Sequence, residues 1–290
     1  CGSRYPTAAP QHPDMTDAAK AVAIAHGVTR LTAPNPGPMT GAGTNSYFVG
    51  EGRLALIDPG PDLDAHVNAL VAYANGRLDA ILVTHTHRDH SPAAAAVAAR
   101  TGAAVYGMLP PATPENDAAF APDTVLVHEH SVTVGGHEIL AIHTPGHASN
   151  HVCFLHKATG ILFTGDHIMN GSTVVIAAPD GNMRAYLESL ALLKHYAPQT
   201  IAPGHGEPLL EPDRAIDWII AHRLEREAKV VETLTALAPA TIDALLPQVY
   251  DEVDPALWPI ARYSLRAHLE KLLEDGRAQC TETEWTLVAG

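Results

Sequence analysis

Thr84-His85-Thr86-His87-Arg88-Asp89-His90 places four side chains able to bind a metal (His85, His87, Asp89 and His90) within six residues. The residues on either side say where this cluster sits. Ala80 to Thr84 reads AILVT, a continuous apolar run of the kind expected for a strand buried on both faces. Pro92 to Arg100 is Ala-rich and predicts a helix, with Pro in the first turn, where its missing N–H costs nothing. The histidines therefore lie on a strand-to-helix loop, and a loop lets side chains converge as no single helix or strand face does. Neutral imidazole and carboxylate suit Zn²⁺ and related first-row ions. A lone His reads as a turn or core residue; H-x-H-x-D-H behind an apolar strand does not.

Working outward, three more ligand-type residues share this context. His147 lies in Thr144-Pro145-Gly146-His147, Asp166 in Phe163-Thr164-Gly165-Asp166, and His205 in Pro203-Gly204-His205-Gly206. Each follows a strand-like run and is preceded directly by Gly, which permits a sharp turn toward a shared cleft. Singly each reads as a turn residue; together with the first cluster they read as a ligand set.

The remaining pattern predicts strands at Ser46–Val49, Leu54–Ile57, Ala103–Gly107, Val125–Val134, His137–His143, His151–His156, Gly160–Thr164 and Thr200–Ala202. Helices are predicted at Asp64–Asn75 and Ala185–Leu193, and Asp180-Gly181-Asn182 reads as a turn. This rhythm favours an α/β class with stacked sheets covered by helices over a doubly wound sheet. Near Glu211 the composition shifts. Helices follow at Asp213–Leu237, Thr241–Tyr250 and Ala256–Asp275, the last stopped by Gly276. A hairpin, Ala278–Cys280 with Trp285–Val288, then completes a small winged-helix-like α+β unit. The expected organisation is an N-terminal arm at 1–27, a larger domain carrying the ligand set at 28–212 and a winged-helix-like domain at 213–290.

Composition excludes several classes. The 290 residues carry 18 Lys+Arg, 32 Asp+Glu and 18 His, a net charge of −14. With 46% hydrophobic and 17% charged residues the chain is not disordered. Apolar runs break within about ten residues, short of the roughly 20 needed to cross a bilayer, so no membrane partner is expected. No secretory signal is visible, and the three cysteines (Cys1, Cys153, Cys280) are far apart and odd in number. A reducing, cytoplasmic setting is the expectation. At Cys1 a trimmed start is expected rather than a lipid-bearing residue, since no signal peptide is visible to support the latter. Residues 211–290 hold eight basic against fifteen acidic side chains, 8 − 15 = −7, which argues against general nucleic-acid binding. The tail is expected to wall the cleft or form a homodimer contact.

The motifs THTHRDH, TPGH, TGDH and PGHG resemble those of the metallo-β-lactamase superfamily, and the winged-helix-like tail resembles its LACTB2-like branch. The resemblance implies an αββα sandwich and two metal ions, zinc with iron or manganese as alternatives. His85, His87 and His147 would hold the first, and Asp89, His90 and His205 the second, with Asp166 bridging. A metal-bridging hydroxide would attack a carbonyl or phosphoryl centre, the second metal would stabilise the leaving group, and Asp89 would hold the hydroxide's proton. Asp58 in Leu-Ile-Asp-Pro-Gly matches the family's first motif, usually structural beneath the site. Asp rather than Cys at 166 fits thioesterase, lactonase and nuclease branches better than a true β-lactamase. The family often continues DH-x-GG. Here Ser91-Pro92-Ala93-Ala94 follows, which bears on loop shape and branch more than on metal binding.

The expected activity is thus hydrolysis of a small ester-like substrate such as a thioester or lactone. A metal-dependent endoribonuclease acting on single-stranded RNA is the alternative, and a non-enzymatic metal-binding protein ranks below both. His151, Asn45 and Tyr47 are candidate substrate or supporting contacts. His128, His130, His137, His143 and His156 are read as structural, and His167 is left outside the ligand set.

Overall fold

The computed structural model describes residues 20–288. Most of the expected arm, including Cys1, lies outside the described residues. The arm's last part, Val22–Ala25, forms strand β1, antiparallel to β2 (Val28–Thr32). The chain divides into two compact units. Among the described residues, the first holds 20–144 with 150–173 and 197–212; the second holds 145–149, 174–196 and 213–288.

In the first unit β3 (Asn45–Gly50), β4 (Leu54–Ile57), α1 (Asp64–Ala74), β5 (Leu78–Leu82), α2 (Ala93–Thr101), β6 (Ala104–Gly107) and β7 (Thr124–Val125) follow in order. They complete a seven-stranded sheet ordered β1 to β7. β4, β5, β6 and β7 run parallel, so α1 and α2 are the crossovers that parallel pairing requires. A second sheet is ordered β12-β11-β10-β9-β8, built from β8 (Ser131–Val134), β9 (His137–His143), β10 (Val152–His156), β11 (Ile161–Gly165) and β12 (Thr200–Pro203).

Alternation along the strands explains the continuous apolar runs. Tyr47 and Val49 of β3, Ala55 and Ile57 of β4, and Ala80 and Leu82 of β5 share one buried cluster with Ile139, Phe154 and Phe163 of the second sheet. Their neighbours Phe48, Leu54, Leu56 and Ile81 point the other way, into a cluster with Val67 and Leu70 of α1 and Val97 of α2. Successive side chains alternate faces, and both faces are covered, so every position must be apolar.

The Val125–Val134 run is not one strand, which corrects the expectation. β7 ends at Val125 and pairs with β6, whereas β8 starts at Ser131 and pairs with β9 in the other sheet. The residues between must cross from sheet to sheet, and Glu129 takes a left-handed φ of 62° to do so.

His66 of α1 is buried, its Nε2 2.9 Å from the Ser46 hydroxyl. Burial pushes its pKa down to about 4. The folded state refuses a proton that the unfolded chain accepts, so this stability is full above the unfolded value near 6.5 and is lost as pH falls toward 4. The shift corresponds to about 3 kcal/mol. Denaturant titrations at pH 7.5 and 4.5 should show His66→Gln losing less stability than the parent across that range. Equal losses would discount His66 as a source of acid sensitivity.

In the second unit, α3 (Met183–His195) is capped by Asn182, whose side chain accepts from the Ala185 N–H at 2.9 Å. The Asp180–Asn182 turn is therefore also a helix start. α4 (Pro212–Leu237), β13 (Ala240–Thr241), α5 (Ile242–Val249), a 3₁₀ turn at Pro255–Leu257, α6 (Trp258–Glu274), β14 (Ala278–Thr281) and β15 (Glu284–Leu287) follow. The hairpin β14–β15 gains β13 as a third strand, in the order β13-β15-β14. Val230, Leu234, Leu245, Leu265, Leu269, Leu272 and Trp285 form this unit's core.

Candidate metal centre

Parallel strands end at a common edge, and there the ligand-type residues gather. Asp58 follows β4 and takes a left-handed φ of 50°, a conformation that Asp tolerates better than most residues. Its carboxylate is buried and accepts three hydrogen bonds. Oδ1 accepts from the Thr84 N–H at 2.8 Å, and Oδ2 accepts from the Thr84 hydroxyl at 2.8 Å and from His90 Nδ1 at 2.9 Å. The Thr84 hydroxyl has thus given away its proton, so its oxygen accepts from His85 Nδ1, 3.0 Å away. One carboxylate therefore sets the tautomers of two imidazoles and turns both Nε2 atoms toward the centre, as supporting groups do for metal-binding histidines. His205 is oriented in the same way, its Nδ1 3.1 Å from the Gly43 carbonyl.

The result is a tight group. One ligand atom each from Asp89, His90, Asp166 and His205 lies within 4.8 Å of all the others. His90 Nε2 stands 3.4 Å from Asp89 Oδ2 and 3.3 Å from Asp166 Oδ1. His205 Nε2 stands 3.1 and 3.2 Å from the same two oxygens. Beside this group, His85 Nε2 and His87 Nδ1 are 3.0 Å apart, and the His85 ring lies 4.3 Å from that of His90.

Electrostatics follow from this crowding. Burial alone would lower the pKa of His90, but Asp89, Asp166 and Asp58 outweigh it and hold the ring well above its usual range. His205 is likewise held up to about 10, Asp166 and Asp89 outweighing its burial. Burial would raise Asp166, yet His90 and His205 hold it well below the usual carboxylate range. His85 goes the other way: burial and the neighbouring rings of His90, His87 and His151 keep it neutral. The field that holds protons on His90 and His205 is one that a divalent cation would satisfy. The fit shows at one atom: His90 Nε2 is buried and makes no hydrogen bond, although two carboxylate oxygens face it. Two imidazoles and two carboxylates at this spacing form a donor set suited to zinc and its neighbours.

The remaining candidates have the following surroundings. His147 belongs to the second unit, where its Nδ1 donates to the Val175 carbonyl at 2.8 Å, directing ligand character to Nε2. His151 is buried, with Nδ1 2.9 Å from the Thr144 hydroxyl and its ring 5.0 Å from that of His85. Asn45 and Tyr47 are buried behind the His205 loop. The Tyr47 hydroxyl donates to the Pro203 carbonyl at 2.7 Å, while Asn45 Nδ2 donates to Pro203 at 3.1 Å and to Gly206 at 2.9 Å. Both side chains thus hold the backbone on either side of His205. Two residues with similar roles carried no sequence signal. Thr44 donates to Asp89 Oδ2 at 3.3 Å, and Arg30 pairs with Glu207 at 2.8 Å. Both depend on long-range pairing invisible to local pattern. His137 and His156 face each other at 3.0 Å, away from this group.

Residues 39–205 match the family model described as the metallo-beta-lactamase superfamily, and residues 241–285 match the beta-lactamase associated winged helix domain. The chain is 32% identical over 286 residues to a beta-lactamase-like protein 2 homolog of Drosophila melanogaster, covering 90% of this chain and 95% of that one. It is 32% identical over 215 residues to an atrochrysone carboxyl ACP thioesterase of Aspergillus chevalieri, covering 71% and 65% respectively. A metallo-beta-lactamase family protein of Thermus thermophilus shares the fold with a TM-score of 0.76 at 20% identity, over 92% of this chain and all of that one. Among the described residues no helix is long and apolar enough to cross a membrane. By the span of the family match and the full-length similarity, the chain belongs to the metallo-beta-lactamase superfamily as a hydrolase carrying the associated winged helix domain.

Proposed function

We propose that this protein is a dinuclear, zinc-dependent hydrolase of small thioesters or related activated esters, working in the cytoplasm. The observation that carries the reading is the group Asp89, His90, Asp166 and His205, with His90 Nε2 facing two carboxylates. These residues would hold one ion. His85 and His87, joined by His147 on the sequence pattern, would hold the other, with Asp166 shared. Divalent ions held there supply Lewis-acid polarisation of a scissile carbonyl and a water that ionises near neutral pH.

The chain's own side chains do the rest. Asp58 and the Gly43 carbonyl keep His90 and His205 in the tautomer that presents Nε2. Asp89 is the more open of the two central carboxylates, its side chain 26% exposed against 14% for Asp166. It is therefore placed to take the proton of the attacking water. Thr44 steadies Asp89 Oδ2 as it does so. The thioester preference draws on the similarity to the fungal thioesterase and on Asp at position 166. Cys153 and Cys280, both free thiols, agree with a reducing compartment. A homodimer is part of the same proposal.

A panel of acyl thioesters, lactones, β-lactams and single-stranded RNA, presented to zinc-replete protein with His87→Ala as the control, tests the reading. Thioester turnover should exceed the control by about 10²-fold or more. RNA cleavage with no thioester turnover would replace it with the nuclease alternative.

A further inference from the structure

The winged helix unit carries a second concentration of buried polar groups, within one unit and of opposite character. Arg223 of α4 is 3% exposed, His268 of α6 is 0% exposed and Tyr250 at the end of α5 is 6% exposed. Among the described residues, Arg223 Nε, the Tyr250 hydroxyl and both His268 ring nitrogens have no hydrogen-bond partner. The same holds for Nδ1 of half-buried His222, whose ring stacks on Trp218 at 5.3 Å. Arg226, one turn along α4, lies over the Tyr250 ring at 4.3 Å, and Arg223 lies 5.6 Å from the centre of the Tyr186 ring.

The missing element is a counter-charge. Arg223 donates to the Val174 carbonyl and engages Tyr186, both uncharged. Two carboxylates of this unit are engaged elsewhere: Glu252 with Arg226 and Lys229, Glu227 with Lys271 and Arg277. A guanidinium does not shed its proton to relieve burial, and an uncompensated buried charge is strongly destabilising. Arg223 offers only donors, and the Tyr250 hydroxyl and one nitrogen of neutral His268 offer a donor each. Arg223 acts electrostatically on both Tyr250 and His268, so donors from three helices gather near one cation, which suits a ligand with several acceptor oxygens and negative charge.

We propose that Arg223, Tyr250 and His268 form a binding site for an oxyanion of the phosphate class, with His222 and Arg226 at its rim. Inorganic phosphate is the probe. Titrated into the full-length, metal-loaded protein, it should raise Tm in a concentration-dependent way that chloride at matched ionic strength does not reproduce. Calorimetry should show Tyr250→Phe, which keeps the ring beneath Arg226, weakening phosphate roughly tenfold through loss of one hydrogen bond to a charged group. Arg223→Gln should abolish binding if that variant folds; Tyr250→Phe carries the test if it does not. Asp166→Asn should retain the phosphate response, which separates this site from the metal centre. A chloride-matched response in the parent, an unchanged affinity in Tyr250→Phe, or a response lost in Asp166→Asn would each overturn the proposal.

Discussion

Asp166→Asn should reduce bound metal below about one ion per chain and lower kcat/KM by at least about 10³-fold, equivalent to ~4 kcal/mol of transition-state stabilisation. Asn keeps the shape and volume of Asp but supplies a neutral amide. In the parent, Asp166 Oδ1 lies 3.3 Å from His90 Nε2 and 3.2 Å from His205 Nε2, where it serves two imidazoles at once. Burial works against its charge, and only the cationic field of His90 and His205 keeps it ionised. Removing that charge leaves the centre with Asp89 as its one central carboxylate. Elemental analysis of purified protein and steady-state kinetics on the best thioester read the two effects separately, and circular dichroism confirms the fold. A variant with parental metal content and parental turnover would remove Asp166 from the centre.

Gly204→Ala is expected to be nearly as damaging although it replaces none of the candidate ligands. A Cβ at this position would lie 2.7 Å from His90 Cε1, 2.9 Å from Asp166 Oδ1 and 3.0 Å from the Gly165 carbonyl carbon. Each neighbour is held: His90 is tied to Asp58, Asp166 Oδ1 faces His205 Nε2 at 3.2 Å, and the Gly165 carbonyl accepts the Gly204 N–H at 2.8 Å. The methyl can enter only by displacing His90 and Asp166. Overpacking of this kind costs about 1–3 kcal/mol of stability, and a shift near 1 Å in a catalytic group costs about 10²-fold in rate. Gly52→Ala is the matched control, since nothing lies within 4 Å of its Cβ position and its φ is not left-handed. It should stay within about 0.5 kcal/mol of the parent. Denaturant midpoints and kcat/KM for both variants decide the matter; a Gly204→Ala protein indistinguishable from Gly52→Ala would show that the loop yields freely.

Most of the architecture was legible because burial writes itself into sequence. β5 is apolar from Ala80 onward because both faces of its sheet are covered there, and α1 and α2 follow from parallel strands that need crossovers. The failures came where one apolar run served two sheets. Val125–Val134 carries strand-forming residues at both ends, and no local pattern records that the chain leaves one sheet for the other at Glu129. The two-residue strand β13 is too short to have a period, and only its pairing with β15 makes it a strand. Among the supporting groups, Asp58 was visible through its motif. Thr44 and Arg30 were not, because their partners lie 45 and 177 positions away. Asn45 and Tyr47 were visible as residues near the site but not in their role, since a carbonyl acceptor such as that of Pro203 has no sequence signature.

The sequence by itself determined the kind of chemistry. Imidazole and carboxylate recur just past strand ends, each later one behind a glycine, and residue type and spacing are local properties. The tertiary structure decided which nitrogen of each ring faces the centre and which carboxylates share a field. It also decided whether a buried charge such as Arg223 has a partner. Those outcomes depend on hydrogen bonds and Coulomb interactions between segments far apart in the chain, and folding alone brings them within a few ångströms.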